Sequence, residues 1–301
     1  MSFLSIVAQR IGKMAGAAKH VAVPDSLPDR QAEAAALDEY VTQTPSGQNA
    51  IDVLPGWNMS LPPSAGVVAG PGYFFNDGRI LWAIEQFGGI EGRNILELGP
   101  LEAAHTYLLE SHGPALIHAV EANKLAFLRC LVVKELLDLK KARFFLGDCQ
   151  KFLEHTEVTY DLIIASGILY HMPDPVKLLE LIASHAQSFY LWTHYSMDEA
   201  MPQGDPRRTA FSGEVLVRES HGVKVRLHQR SYHGAWRSKS FCGGTHDLHH
   251  WIERDDILAL IRALGFEDIR IAHDEPGHQN GPAFSIFAQR TPAEDAAQPV
   301  A

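Results

Sequence analysis

The chain has 301 residues, 46% of them apolar, and a formal net charge of −10 at pH 7. That length and apolar content build one large domain, or a domain with additions, around a packed core. The acidity excludes a surface drawn as a whole onto nucleic acid or an anionic membrane, and no segment approaches the ~20 apolar residues that a bilayer span needs. Cys130, Cys149 and Cys242 are an odd set without metal-ligand spacing, which fits a reducing cytoplasm.

The start, MSFLSIVAQRIGKMAG, has Arg10 and Lys13 interrupting its apolar residues before a secretory core forms. It reads as a short amphipathic helix packed on the domain or on a partner chain, with membrane-surface attachment as the rival. Residues 21–70 are rich in Pro, Gly, Ala and Ser and lack sustained periodicity; the expectation is an irregular arm with one helix near 30–41 and with Trp57 covering an apolar surface. From Asn76 the pattern becomes regular. NDGRILWAIEQFGG predicts a helix with Asn76 as N-cap and Ile80, Leu81, Ile84 and Phe87 on one face. RNILEL is a buried strand, LEAAHTYLLESHG a helix ended by Gly113, ALIHAVEAN a second strand, KLAFLRCLVVKELLDL a long helix and ARFFLGD a third strand. YDLIIAS follows as a fourth strand, DPVKLLELIASHA as a helix with Asp174 as N-cap and Pro175 at its first position, and SFYLWTH as a fifth strand.

Between Met201 and Thr245 the rhythm breaks. GEVLVRESHGVKVRLHQRSYHG predicts a hairpin that turns at SHG. The helix RDDILALIRAL then ends at Gly265, and EDIRIAH and PAFSIFAQR are strands joined by DEPGHQNG. A sheet that finishes this way must carry at least one antiparallel terminal strand. The polar tail TPAEDAAQPVA reads as disordered. The fold class is therefore α/β: a Rossmann-like doubly wound sheet, mostly parallel with an antiparallel terminal strand, plus a β-rich insertion and an irregular N-terminal arm.

Such sheets bind ligands at the carboxyl ends of their strands. There the chain has Glu97 and Gly99 after the first strand, Glu121 after the second, Asp148 after the third, and Ser166 and Gly167 after the fourth. A glycine lets the backbone approach a ligand; a carboxylate after the second strand can accept both hydroxyls of a ribose, and Asp148 can accept an adenine amine. Each has a plain structural alternative: a helix cap for Glu97, a tight turn for Gly99, a solvated strand end for Glu121 and an N-cap for Asp148. A nicotinamide cofactor would want G-x-G-x-x-G, of which ELGPLEAA supplies the first glycine alone.

Through ILELGP, AVEAN, FLGDC, YDLIIASGILYHMPDP and the ending LGFEDIRIAHDEPGHQNGPAFSIFAQR, residues 76–290 resemble the class I S-adenosylmethionine-dependent methyltransferases, whose terminal strand is inserted antiparallel. GILYHMPDP resembles the branch that holds the carboxymethylating tRNA-uridine enzymes and many small-molecule methyltransferases. The resemblance implies S-adenosyl-L-methionine as cofactor, with Glu97 and Gly99 by its methionine moiety, Glu121 at the ribose, Asp148 and the backbone at Cys149 at the adenine, and Ser166 and Gly167 along the methyl-transfer face. Pro100, Ala122 and Tyr170 count among the cofactor contacts. The family's glycine motif usually continues with further glycines, where this chain has Leu101 and Ala103.

Transfer from a sulfonium needs alignment and removal of the acceptor's proton, which suits histidine. His171 and His194, after the fourth and fifth strands, are the candidate bases, against structural roles for both. Arg79 is a candidate partner for the cofactor's carboxylate, against a solvated helix face. Tyr73 and Phe74 are expected to pack. GGTHDLHHWIERDD offers His246, Asp247, His249 and His250 without metal spacing, so no metal is expected and the segment reads as a polar or substrate-contact loop. Asp255 and Asp256 read as acids at a helix start. The insert is locally basic and carries flat rings, which makes Arg230, Tyr232 and Trp236 the candidate acceptor contacts.

The expected organisation is a helix and irregular arm or lid over 1–75, a cofactor-binding core over 76–200 and 246–290, a basic hairpin insertion over 201–245 as acceptor lid, and a tail over 291–301. The expected activity is methyl transfer in the cytoplasm to a small polar or anionic molecule, with oxygen the preferred acceptor atom. A homodimer is admitted, and nucleic acid is disfavoured because phosphate neutralisation demands a broad basic face. The alternatives are a tRNA-base methyl- or carboxymethyltransferase and a non-catalytic cofactor-binding regulator.

Overall fold

The structure, a computed structural model, describes residues 40–291. The helix expected at the start, the body of the one expected near 30–41 and the tail beyond Thr291 lie outside the described residues. The compact unit begins at Pro45. Its first helix, α1 (Gly47–Val53), is capped by Ser46 and opens the arm.

Helix α2 (Gly78–Phe87) leads into strand β1 (Asn94–Leu98). Its N-cap is Asp77, not Asn76: the Asp77 carboxylate accepts the Arg79 amide at 2.9 Å and also grips the Arg79 guanidinium, a double hold that an amide side chain lacks. Helices α3 (Ala104–Glu110), α4 (Lys124–Leu136), α5 (Cys149–His155) and α6 (Pro175–His185) then alternate with β2 (Leu116–Glu121), β3 (Ala142–Leu146), β4 (Leu162–Ser166) and β5 (Ser188–His194). Asp174 caps α6, accepting from the Lys177 amide at 3.0 Å, with Pro175 at the first helical position.

Helix α7 (Arg254–Ala263) and strands β9 (Asp268–Glu275) and β10 (Ala283–Gln289) complete the main sheet, whose order is β3-β2-β1-β4-β5-β10-β9. β1 to β5 run parallel, and β10 slots between β5 and β9 antiparallel to both. Residues alternate between two cores because a strand's side chains point to opposite faces. Ile95 of β1 packs with α2 and α3, whereas Leu96 and Leu98 pack with α5, α6 and α7. Glu97 therefore points toward α3, a parity that fixes its later role.

A second, antiparallel sheet has the order β6 (Phe211–Ser220), β7 (Val223–Ser231), β8 (Leu248–Ile252). The hairpin turns through His221 and Gly222, both with positive φ, as SHG predicted. Its third strand comes from LHHWI, expected as loop. Val225, Leu227 and Ile252 bury into the core shared by α6 and α7, so the small sheet is packed rather than appended. Asp256 secures it, accepting the Arg226 amide at 2.8 Å and its guanidinium at 2.8 and 2.9 Å. Among the described residues no helix is long and apolar enough to cross a membrane.

β1 connects onward to β2 on one side while β4 lies on its other side. That reversal opens a crevice at the strands' carboxyl ends.

Candidate functional site

A cavity of about 960 Å³ fills this crevice. Its floor is the backbone that leaves β1: Gly99 takes φ +73°, a left-handed conformation that costs a side-chain-bearing residue about 1–2 kcal/mol. Leu101 and Ala103, where further glycines were missing from the motif, also have positive φ, at +54° and +58°. The loop keeps a glycine-like path with residues that resist it. Glu121 braces it, accepting the Leu101 amide at 3.0 Å on one carboxylate oxygen and the Asn123 amide at 2.7 Å on the other. Burial raises the Glu121 pKa, and these amides pull against that shift.

Pro100, Glu121, Ala122, Asp148, Cys149 and Gly99 line one stretch of the wall; Ser166, Gly167 and Tyr170 continue it. Asp148 is also the N-cap of α5, its Oδ1 accepting the Gln150 and Lys151 amides at 2.8 and 3.0 Å. Arg79 reaches the cavity from α2, lies 4.6 Å from the Trp192 ring and is held by Asp77. His105 Nε2 stands 3.0 Å from the same carboxylate. Burial would raise the Asp77 pKa, but the hydrogen bonds from His105 and Arg79 hold it below the usual carboxylate range.

Glu97 is absent from this wall. Strand parity turns it under the loop, where it is 2% exposed and accepts the Thr106 hydroxyl of α3 at 2.5 Å. Burial pushes its pKa up. Its geometry is that of a buried brace rather than a ligand contact.

His171 and His194 both line the cavity and both pack against Tyr170, with ring centroids 4.1 and 4.6 Å from it. His194 Nδ1 donates to the Gly281 carbonyl at 2.9 Å and the Pro282 carbonyl at 3.2 Å. The ring stacks on Trp251 with centroids 4.9 Å apart. Burial lowers the His194 pKa to about 4 and that of His171 to about 3. Both are neutral at pH 7.

Of the three residues expected to contact the acceptor, none lies on the cavity wall. Tyr232 stands behind His171, its hydroxyl 2.5 Å from Nδ1. Arg230 is wedged between Phe211 and Trp251, at 4.6 and 3.8 Å from their rings, and burial lowers its pKa to about 10. Trp236 is 53% exposed, with the Arg237 guanidinium over it. The insert meets the cavity instead through Phe241 to Thr245, and the arm meets it through Met59, Tyr73 and Phe74. An alanine Cβ at Gly244 would lie 2.3 Å from the His171 carbonyl oxygen, which shows how closely the insert approaches.

No family model matches the chain, and no curated protein matches it in sequence. Solved structures match it in fold. The N-terminal domain of EvdMO1 with S-adenosylhomocysteine (SAH) bound superposes with a TM-score of 0.61 at 20% identity, over 81% of this chain and 95% of that one. The same domain in the presence of SAH and D-fucose gives 0.60 at 20% identity over the same shares. Against the larger EvdMO1 structure the TM-score is 0.53 at 19% identity, and the match spans 49% of that chain. The chain has the class I methyltransferase fold.

Within that fold, sequence reasoning missed Asp77 and His105, which anchor Arg79, and the pair Glu102–Arg129, which ties the arm and the insert to the floor loop. Asp77 could have been found: a carboxylate just before a helix and two residues from an arginine is a cap with a second valence. Glu102 and Arg129 lie 27 residues apart on different elements and left no local pattern.

Proposed function

We propose that the chain binds S-adenosyl-L-methionine and transfers its methyl group to a hydroxyl of a small polar or anionic acceptor. The observation that carries this reading is the convergence of Gly99, Glu121, Asp148, Ser166 and Gly167 on one cavity at the strand ends of a class I sheet. Residues and cofactor fit. Glu121 accepts the Leu101 and Asn123 amides, one on each oxygen, and has lone-pair capacity left for a ribose hydroxyl. Asp148 spends Oδ1 on its helix and keeps Oδ2 for an adenine amine. Arg79, oriented by Asp77, is the partner for the cofactor's carboxylate.

When bound, S-adenosyl-L-methionine supplies an electrophilic methyl group that needs no further activation. The protein's share is to align the acceptor and take its proton. His194 suits this better than His171: two carbonyls fix its Nδ1–H, so its Nε2 carries the lone pair. The D-fucose present with the EvdMO1 domain supports a polar, hydroxyl-bearing acceptor. Calorimetric titration with SAH, together with mass spectrometry of small molecules released from the freshly purified protein, tests the reading. Tight SAH binding and cofactor release are expected; no heat with SAH and no released cofactor would overturn it.

A further inference from the structure

The two cavity histidines present opposite hydrogen-bonding characters. Carbonyl oxygens only accept, so the contacts of His194 Nδ1 with Gly281 and Pro282 put its proton on Nδ1 and its lone pair on Nε2. A neighbour offers His171 the opposite arrangement. The Tyr232 hydroxyl accepts the Gly244 amide at 2.8 Å, and its other contact among the described residues is His171 Nδ1 at 2.5 Å. The Gly244 amide leaves the phenol O–H free to donate to His171 Nδ1, and in that arrangement the His171 proton is on Nε2. Burial raises the Tyr232 pKa to about 12 and lowers that of His171 to about 3, so both partners stay in the neutral forms this chain of bonds requires. Neither Nε2 makes a hydrogen bond among the described residues, and neither is sealed from solvent. Both rings pack against Tyr170 on the same cavity.

From this juxtaposition of an N–H and a lone pair we propose that the acceptor carries two neighbouring oxygens: a reacting hydroxyl that donates to His194 Nε2 and a vicinal oxygen that accepts from His171 Nε2–H. The class is a vicinal diol or its α-hydroxy-carbonyl equivalent. The proposal rests on the methyl-transfer reading for the fate of the hydroxyl. Its oxygen bonds to the methyl carbon as the carbon–sulfur bond breaks, the sulfur keeps that electron pair, and the hydroxyl proton passes to His194 Nε2. Tyr232 is a positioning residue in this scheme, acting through His171.

The test needs no turnover. Long-range ¹⁵N–¹H spectra of the histidine-labelled full chain, assigned with His171→Gln and His194→Gln, should show His171 as the Nε2–H tautomer and His194 as the Nδ1–H tautomer at pH 7; the same tautomer at both overturns the proposal. In the SAH-titrated protein, cis-1,2-cyclohexanediol should bind at least tenfold more tightly than cyclohexanol by ligand-observed NMR. Tyr232→Phe should shift the His171 nitrogen signals and bring that ratio toward one. A diol that binds no better than the mono-alcohol, or not at all, overturns the proposal, as does a preference that Tyr232→Phe leaves intact. SAH affinity is read separately: a protein that takes SAH without diol preference loses this inference alone, and one with the tautomers and the preference but no SAH affinity loses the methyl-transfer reading alone.

Discussion

Arg129 of α4 donates from Nη1 to Glu102 Oε1 at 3.0 Å, and the two side chains are 1% and 0% exposed. Glu102 also accepts the Asn58 and Met59 amides, at 2.9 and 2.7 Å, while Arg129 Nη2 donates to the Pro55 and Lys239 carbonyls. One buried ion pair thus holds the arm and the insert to the loop that floors the cavity. Arg129→Met should destabilise the protein by about 3–5 kcal/mol, because it strands a carboxylate away from water. Urea unfolding reads this; a loss below about 1 kcal/mol would show the pair to be dispensable.

Gly244 tests how closely the insert meets the core. A methyl group there runs into the His171 carbonyl, and backbone cannot yield as a side-chain tip does. Gly244→Ala should cost about 1–3 kcal/mol in the same assay. It should also break the amide-to-Tyr232 bond, visible as loss of the single His171 tautomer. An unchanged spectrum would mean the loop absorbs the methyl elsewhere.

His194 gives a pH dependence of definite sign. In the unfolded chain it takes a proton near 6.5, and burial lowers this to about 4 in the folded protein. Between these values the unfolded state binds more protons, so the residue's contribution is whole above about pH 6.5 and fades as the pH falls toward about 4. The stability difference between wild type and His194→Gln should therefore shrink by about 1.4 kcal/mol for each pH unit of acidification in that window. A difference that stays flat, measured by denaturation at half-unit steps, would place the ring in water.

Glu121 is the sharpest probe of the cofactor assignment. Glu121→Ala should weaken SAH binding by about 1.5–3 kcal/mol, the value of hydrogen bonds to a charged group. Unchanged calorimetric affinity would remove it from the ribose site.

Much of the fold was legible because burial on both faces of a parallel sheet writes continuous apolar runs, as in ILEL and DLIIAS, separated by helices with readable caps such as Asp174. The antiparallel β10 followed from chain geometry, since β9 and β10 are too near in sequence for a crossover. Strand β8 was not legible: LHHWI sets two histidines side by side, and it becomes a strand because β7 offers an edge that a single segment does not advertise. For the site, position at or just beyond a strand's end located Gly99, Glu121 and Asp148 on the cavity. The same logic carried Glu97 too far, because a residue inside a strand obeys parity and Glu97 shares a face with Ile95, toward α3. Arg230 and Tyr232 drew notice as charge and ring, but their orientations were set by Trp251 and His171, contacts between distant segments.

The left-handed residues of the floor loop store strain that Glu121 and the Glu102–Arg129 pair hold in place. Leu101 and Ala103 sit where side chains are disfavoured, so releasing the Leu101 amide from Glu121 lets the backbone relax to roomier dihedrals and recovers part of the cost of opening. This stretch should breathe well before the sheet beneath it, and the Leu101 amide should exchange with deuterium at least tenfold faster than those of β1.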